Sequence, residues 1–164
     1  MNHLWQPTVQ AFTVTVDYDQ PLEVLIPKVT RFWKDPYIDK DITSGHFPSP
    51  EQGNRALTIF VANFRTDTGK LTVNDARLDL PVHGYRPAHP IELLSLLQAL
   101  GLQGRKIIAP GSSWRDPLNR QFVVAVEEYA YETEDYGSGS GRSLVMKQTD
   151  EPLSQEWHFV ALRK

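Results

Sequence analysis

From Gly84 to Trp114 the chain reads GYRPAHPIELLSLLQALGLQGRKIIAPGSSW, and no other stretch orders its turn, helix and strand signals so tightly. Gly84 suits the left-handed conformation that closes a helix. Pro87 and Pro90 fit just before and at a helix's first turn, not inside it. Glu92 then falls in that first turn, where a carboxylate meets unpaired N–H groups. Leu93, Leu94, Leu97 and Leu100 recur at helical spacing, widened by Ile91 and Leu96. The pattern predicts a helix of about ten residues ending near Gly101. Ile107 and Ile108 read as a short buried strand, broken by Pro110 and Gly111.

The flanking segments give further elements. Residues 9–18 alternate, with Phe12, Val14 and Val16 on one face and Thr13, Thr15 and Asp17 on the other. A short helix follows to Ile26, capped by Asp19 or Gln20, started by Pro21 and ended by Pro27. Residues 28–54 hold Phe32, Trp33, Tyr37, Ile42 and Phe47 among prolines and glycines. They predict an ordered wrap with its aromatics on the body. Residues 56–65 alternate with both faces apolar, the mark of a central strand. Thr72 caps a second helix, with Asp75 completing a shortened capping box and Val73, Ala76 and Leu80 on one face; Pro81 ends it. After the turn Asp116-Pro117-Leu118-Asn119 come strands at 122–131, 143–147 and 157–162. An acidic and then Gly/Ser-rich loop, 132–141, separates the first two. Trp114 and Trp157 fall on the sheet and are expected to be mostly buried.

The expected class is therefore α+β, with two helices segregated from an antiparallel sheet. A chain of 164 residues implies one domain, 1–164, with 1–54 as a strand/helix extension around a core at 55–164.

Three pieces carry a family resemblance. Gly84-Tyr85-Arg86-Pro87-Ala88 followed by Ile91-Glu92-Leu93-Leu94 is similar to the G-W-R-L-P-T-x-x-E-W/L signature of bacterial C-type-lectin-like domains. Gly111-Ser112-Ser113-Trp114 resembles their G-G-S-W turn, and Phe159-Val160-Ala161-Leu162-Arg163 their closing strand. The pieces occur in the family's order and span roughly 55–164. With D-I-T-x-x-H-F-P at Asp41–Pro48, the chain also resembles a group of small bacterial and phage-type proteins with no assigned activity. The resemblance implies a C-type-lectin-like scaffold. It implies no sugar specificity, because the calcium-dependent tripeptides E-P-N and Q-P-D are missing. Nor does it imply the formylglycine-generating activity, which uses cysteines.

Composition excludes more than it assigns. A formal net charge of −3 provides no basic field for nucleic acid. The absence of cysteine removes disulfides, thiolate metal sites and a cysteine nucleophile, and fits the expected cytoplasmic location. No signal peptide and no membrane span are expected. The histidines lack metal-site spacing, P-G-S-S-W is not a nucleophile elbow, and no phosphate loop is present, so no metal, cofactor or catalytic residue is assigned. Glu92 reads first as a helix-end carboxylate or a partner for Arg86.

The leading expectation is a non-enzymatic binding domain with a protein partner. Its candidate residues are Arg115, Asp116, Asn119 and Arg120 on the turn and Tyr129, Tyr131, Asp135 and Tyr136 on the strands and loop. Carboxylates beside aromatics suit a binding surface. One alternative is a small hydrolase or transferase using Glu92, His83 or His89 and Asp116. Another is a structural subunit with Phe32, Trp33 and Phe47 as contacts.

Overall fold

The computed structural model describes residues 7–102, 104–135 and 137–164, with the backbone alone for 129–133 and 138–140. In chain order the elements are β1 (Thr8–Asp17), α1 (Leu22–Thr30), β2 (Tyr37–Ile38), β3 (Asn54–Asn63), β4 (Lys70–Leu71) and α2 (Val73–Asp79). A 3-10 turn (Leu80–His83), β5 (Tyr85–Pro87) and α3 (Pro90–Leu100) follow. The chain closes with β6 (Lys106–Arg115), β7 (Gln121–Thr133), β8 (Gly137–Gln148), β9 (Leu153–Ser154) and β10 (Trp157–Arg163).

The main sheet runs β1-β3-β10-β6-β7-β8-β2, with β5 pairing β10. It corrects the expected fold. The expected C-type-lectin-like arrangement of two helices on an antiparallel sheet, with a strand/helix extension at 1–54, is overturned in its helix count and its strand directions. Three α-helices are present among the described residues. The sheet is mixed, because β10 pairs β6 in parallel and β2 pairs β8 in parallel. Within 1–54, β1 pairs β3 over ten residues. The physical reason is that period-2 patterning identifies a strand but not the direction of its partner. Hairpin order alone would make neighbours antiparallel; instead the last strand inserts between β3 and β6.

The strand alternation divides the core between two faces. Ile59, Val61, Ile107, Val124, Val126, Val160 and Leu162 face one cluster, which holds α1 and α3. Ala62, Ile108, Val123, Ala125, Trp157, Phe159 and Ala161 face the other, with Val73, Ala76 and Leu80 of the α2 region. Helices thus lie on both faces rather than one. The two apolar faces read from residues 56–65 match the interior position of β3.

Local chemistry explains the helices. Thr72 Oγ1 accepts from the Asp75 N–H at 3.1 Å, and Asp75 Oδ2 accepts from the Thr72 N–H at 2.8 Å. Replacing Thr72 with Ala is expected to cost about 1 kcal/mol, measured by urea unfolding. Helix α3 starts at Pro90 and ends before Gly101, as its sequence implies. Helix α1 does not stop at Pro27 but continues to Thr30. Pro27 cannot donate to the Glu23 carbonyl, and both residues lie on the exposed side of the helix. Leu25, Ile26 and Val29 are buried on the other side and hold the helix. The α1 cap is also not local: the Leu22 N–H donates to Ser44 Oγ at 3.0 Å, while Asp19 Oδ1 takes the Gly53 N–H.

Two strands run further than their sequence suggests. β6 continues past Pro110 and Gly111 to Arg115, with its pairing to β7 slipping between Ala109 and Trp114. The stretch 132–141 is not an open loop. β7 and β8 stay paired from Phe122↔Gln148 to Thr133↔Gly137. Glycines and serines are poor strand formers, and here the β7 partner imposes the conformation.

Candidate functional site

The densest set of ionisable groups lies where β1, β5 and α3 meet. Glu92 is in the first turn of α3 and is 0% exposed. Its Oε1 accepts from the His89 N–H at 2.8 Å, which caps the helix. Arg86, on β5, reaches both carboxylate oxygens, at 3.1 and 2.7 Å. The Tyr18 hydroxyl, just past β1, donates to Oε2 at 2.6 Å. Four donors thus surround one carboxylate. Sequence spacing identified Glu92 as a helix-end group and a partner for Arg86. It missed Tyr18, although the parity of Val14 and Val16 carries on to that residue.

Burial pushes the Glu92 carboxyl up. The hydrogen bonds from Arg86, the His89 backbone and Tyr18, with the Arg86 charge, outweigh it and hold the group below the usual 4.5. Burial first, then the Glu92 hydrogen bond and charge, pushes the Tyr18 phenol up. A carboxylate held ionised and bonded on both oxygens is a poor proton donor and a poor base. This arrangement joins three elements of the fold.

Ser112 lies inside the β6 slip. Its Oγ is 2.9 Å from His89 Nδ1, and the Gly111 N–H donates to the Ala88 carbonyl at 2.7 Å. Burial holds the His89 ring below its usual 6.5, so it is neutral at neutral pH. Burial does the same to His158, whose Nδ1 is buried without a partner. Depressed histidines bind protons more readily in the unfolded chain. Stability is therefore expected to fall as pH drops below about 6.5, and to fall again below about 4.5 as Glu92 is protonated. Urea midpoints measured between pH 8 and 3.5 check both stages.

Trp114 is half-buried, not mostly buried as expected, and stacks on His46 with ring centroids 4.2 Å apart. Trp157 is buried. Beside Tyr18 an open cleft of about 210 Å³ is lined by Pro21, Leu22, Ser44, Phe47 and Ile91 among others. Two of its hydroxyls are engaged, Tyr18 on Glu92 and Ser44 on Glu23.

The residues singled out for binding are not brought together. Asp116 Oδ1 accepts from the Leu118 and Arg120 N–H groups, and Oδ2 from Arg120 Nε at 2.7 Å. Arg115 Nη1 reaches Asn119 Oδ1 at 3.2 Å. The turn satisfies itself. It precedes β7, whereas Asp135 lies beyond the far end of that thirteen-residue strand, about 40 Å away at strand rise. Tyr129 and Tyr131 pair through their backbones with Gly141 and Gly139. Tyr136 lies outside the described residues. His83 bonds Asp79 at 3.1 Å on the other face, away from Glu92.

Two features went unread in the sequence. β8 lies next to last in the sheet, and β2 pairs its outer side only through Tyr37↔Ser143 and Ile38↔Leu144 among the described residues. Tyr37, on β2, is 62% exposed, and Phe32, two residues past the end of α1, is 84% exposed, although the wrap was expected to lay its aromatics on the body. Phe47 does so, and is buried. Beyond Glu127↔Ser143, among the described residues, the β7 and β8 strands pair with each other alone, as an arm. Arg142 anchors its base. The guanidinium donates to the Gly101 and Leu102 carbonyls, Nε lies 2.9 Å from Glu128 without hydrogen-bond alignment, and the group sits over Trp33.

Among the described residues no group of three or more His, Asp or Glu is placed to hold a metal ion, and no helix is long and apolar enough to cross a membrane. No protein-family model, no curated protein and no solved structure matches the chain.

Proposed function

We propose that this chain is a non-enzymatic protein-binding domain. Its contact surface is the β8 side of the sheet, made of the β7–β8 arm with Phe32 and Tyr37. One observation carries the reading: among the described residues a long strand leaves its outer edge almost unpaired, beside the exposed Tyr37 ring. Natural proteins shield such edges unless something binds there. The main ionisable cluster does not compete as a site, because its carboxylate is fully engaged.

The test is affinity capture with the intact domain, a variant lacking 132–141, and the double variant Phe32→Ser/Tyr37→Ser. A captured protein is then purified and titrated against all three. The expected outcome is at least about ten-fold weaker binding for both variants with unfolding midpoints close to the parent's. Equal binding by all three would move the surface elsewhere, and no titratable partner would remove the reading.

A hydrolase or transferase is the second reading, favoured by the contact between Ser112 Oγ and His89 Nδ1. In it Ser112 is the nucleophile and its proton passes to His89. A fluorophosphonate probe would then phosphonylate Ser112, with loss of fluoride, and spare Ser112→Ala. An unlabelled protein rejects it.

A further inference from the structure

We infer that the outer edge of β8 receives an extended, basic segment of a partner protein as an added strand. The inference rests on the protein-binding reading and specifies its mode and chemistry.

The backbone parity comes first. The Asp39 N–H donates to the Leu144 carbonyl at 2.9 Å, so the Leu144 backbone faces β2, away from β7. Direction alternates along a strand, and the β7–β8 register has no slip. The backbones of Ser138, Ser140, Arg142 and Met146 therefore also point outward. Among the described residues β2 meets the edge at Ser143 and Leu144. The outward backbone groups beyond them form a row of donors and acceptors at strand spacing, which is what strand addition uses.

The sequence of the arm favours close approach. Gly137, Gly139 and Gly141 alternate with serines, and a strand without side chains on one parity lets a second backbone draw near.

Charge selects the occupant. Between 121 and 141 there are five acidic residues, Glu127, Glu128, Glu132, Glu134 and Asp135, and no lysine or arginine. Glu127 and Glu128 pair with Lys147 and Arg142. Glu134 and Asp135 are exposed at the tip. A second copy of the chain would bring the same acids and be repelled. A segment bearing Lys or Arg is attracted by the tip carboxylates, and the exposed Tyr37 ring offers it a cation–π contact; the Phe32 ring already carries Arg31, 4.5 Å from its centroid.

The experiment selects phage-displayed random peptides of about twelve residues, the length of β8, on the intact protein at low salt. The best binder is synthesised and titrated. Expected sequences alternate Lys or Arg with Val, Ile or Thr. Ser140→Pro removes one outward N–H without touching the β7 ladder, and should weaken binding about ten-fold. A proline can also loosen the arm, so hydrogen exchange on the unaltered protein supplies the second readout. Saturating peptide should slow the amides of 138, 140 and 142.

Binders without excess basic residues, or no new protection at those amides, overturn the inference. A protein partner that binds through Phe32 and Tyr37 while those amides stay unprotected leaves the binding domain standing and removes strand addition. Protection that appears without peptide and rises with protein concentration replaces it with self-pairing. A selection with no binder, together with no captured partner, removes both readings.

Discussion

Arg86→Met is expected to destabilise the protein by about 3 kcal/mol at pH 7. The reason is not the loss of an ion pair as such. Arg86 is about one-third exposed, whereas Glu92 is fully buried. Removing the guanidinium leaves an ionised carboxylate inside the fold, which costs about 3–5 kcal/mol where no other partner remains. Tyr18 and the His89 N–H persist, which places the cost at the lower end. The pH response separates this account from simple loss of packing. Without Arg86, burial is opposed by the His89 and Tyr18 hydrogen bonds alone, so the Glu92 pKa moves up from its value in the parent. The variant should then regain stability relative to the parent as pH falls and Glu92 becomes neutral. Arg86→Met/Glu92→Gln should be more stable than Arg86→Met alone, because a neutral amide is cheaper to bury. Urea unfolding of the parent, Arg86→Met, Glu92→Gln and the double variant at pH 7 and pH 5 gives the complete cycle. A cost that is independent of pH and unrelieved by Glu92→Gln would mean that Arg86 acts through its aliphatic stem.

Gly111→Ala is expected to cost about 3 kcal/mol or more. A Cβ there would sit 2.5 Å from the Ala88 carbonyl oxygen and 2.6 Å from that of Pro87. Neither oxygen can retreat cheaply. Pro87 is paired with Ala161, and the Ala88 N–H donates to Val160 at 3.0 Å. Overpacking ordinarily costs about 1–3 kcal/mol, and a backbone obstacle belongs at or beyond the top of that range. The shift would also pull Ser112 from His89. Gly45→Ala is the control. Its nearest neighbour is a Thr43 side-chain oxygen at 3.8 Å, so a change within about 0.5 kcal/mol is expected. Calorimetric unfolding of the three proteins reads both effects. Equal midpoints would show that β5 and β6 can separate at no cost.

Particular residues show how much of the molecule was legible in its sequence. Thr72 and Asp75 carry a capping box within four residues, so their helix could be read directly. The leucines of α3 and its bounding Pro90 and Gly101 acted the same way. Glu92 and Arg86 were legible as a pair because a helix start and a nearby cation are local facts. Pro27 misled, because the burial of Leu25, Ile26 and Val29 outweighs one lost hydrogen bond. Pro110 and Gly111 misled because a strand can continue through a slip when a neighbouring backbone holds it. The Gly/Ser stretch misled for a related reason: its extended form comes from β7, not from its own residues. The binding residues chosen at 115–120 and 129–136 are neighbours in sequence separated by a long, straight strand.

By itself, then, the sequence determined most local elements of this protein: where chains of hydrophobic period begin, how α2 and α3 are started, and which face each strand buries. Those depend on interactions across a few residues. The tertiary structure decided strand direction, the insertion of β10 between β3 and β6, the convergence of Tyr18 on Glu92, and the open outer edge of β8. Each of these is set by which backbone meets which other backbone. A residue's hydrophobicity and propensity are the same whether its partner runs parallel or antiparallel, or is absent.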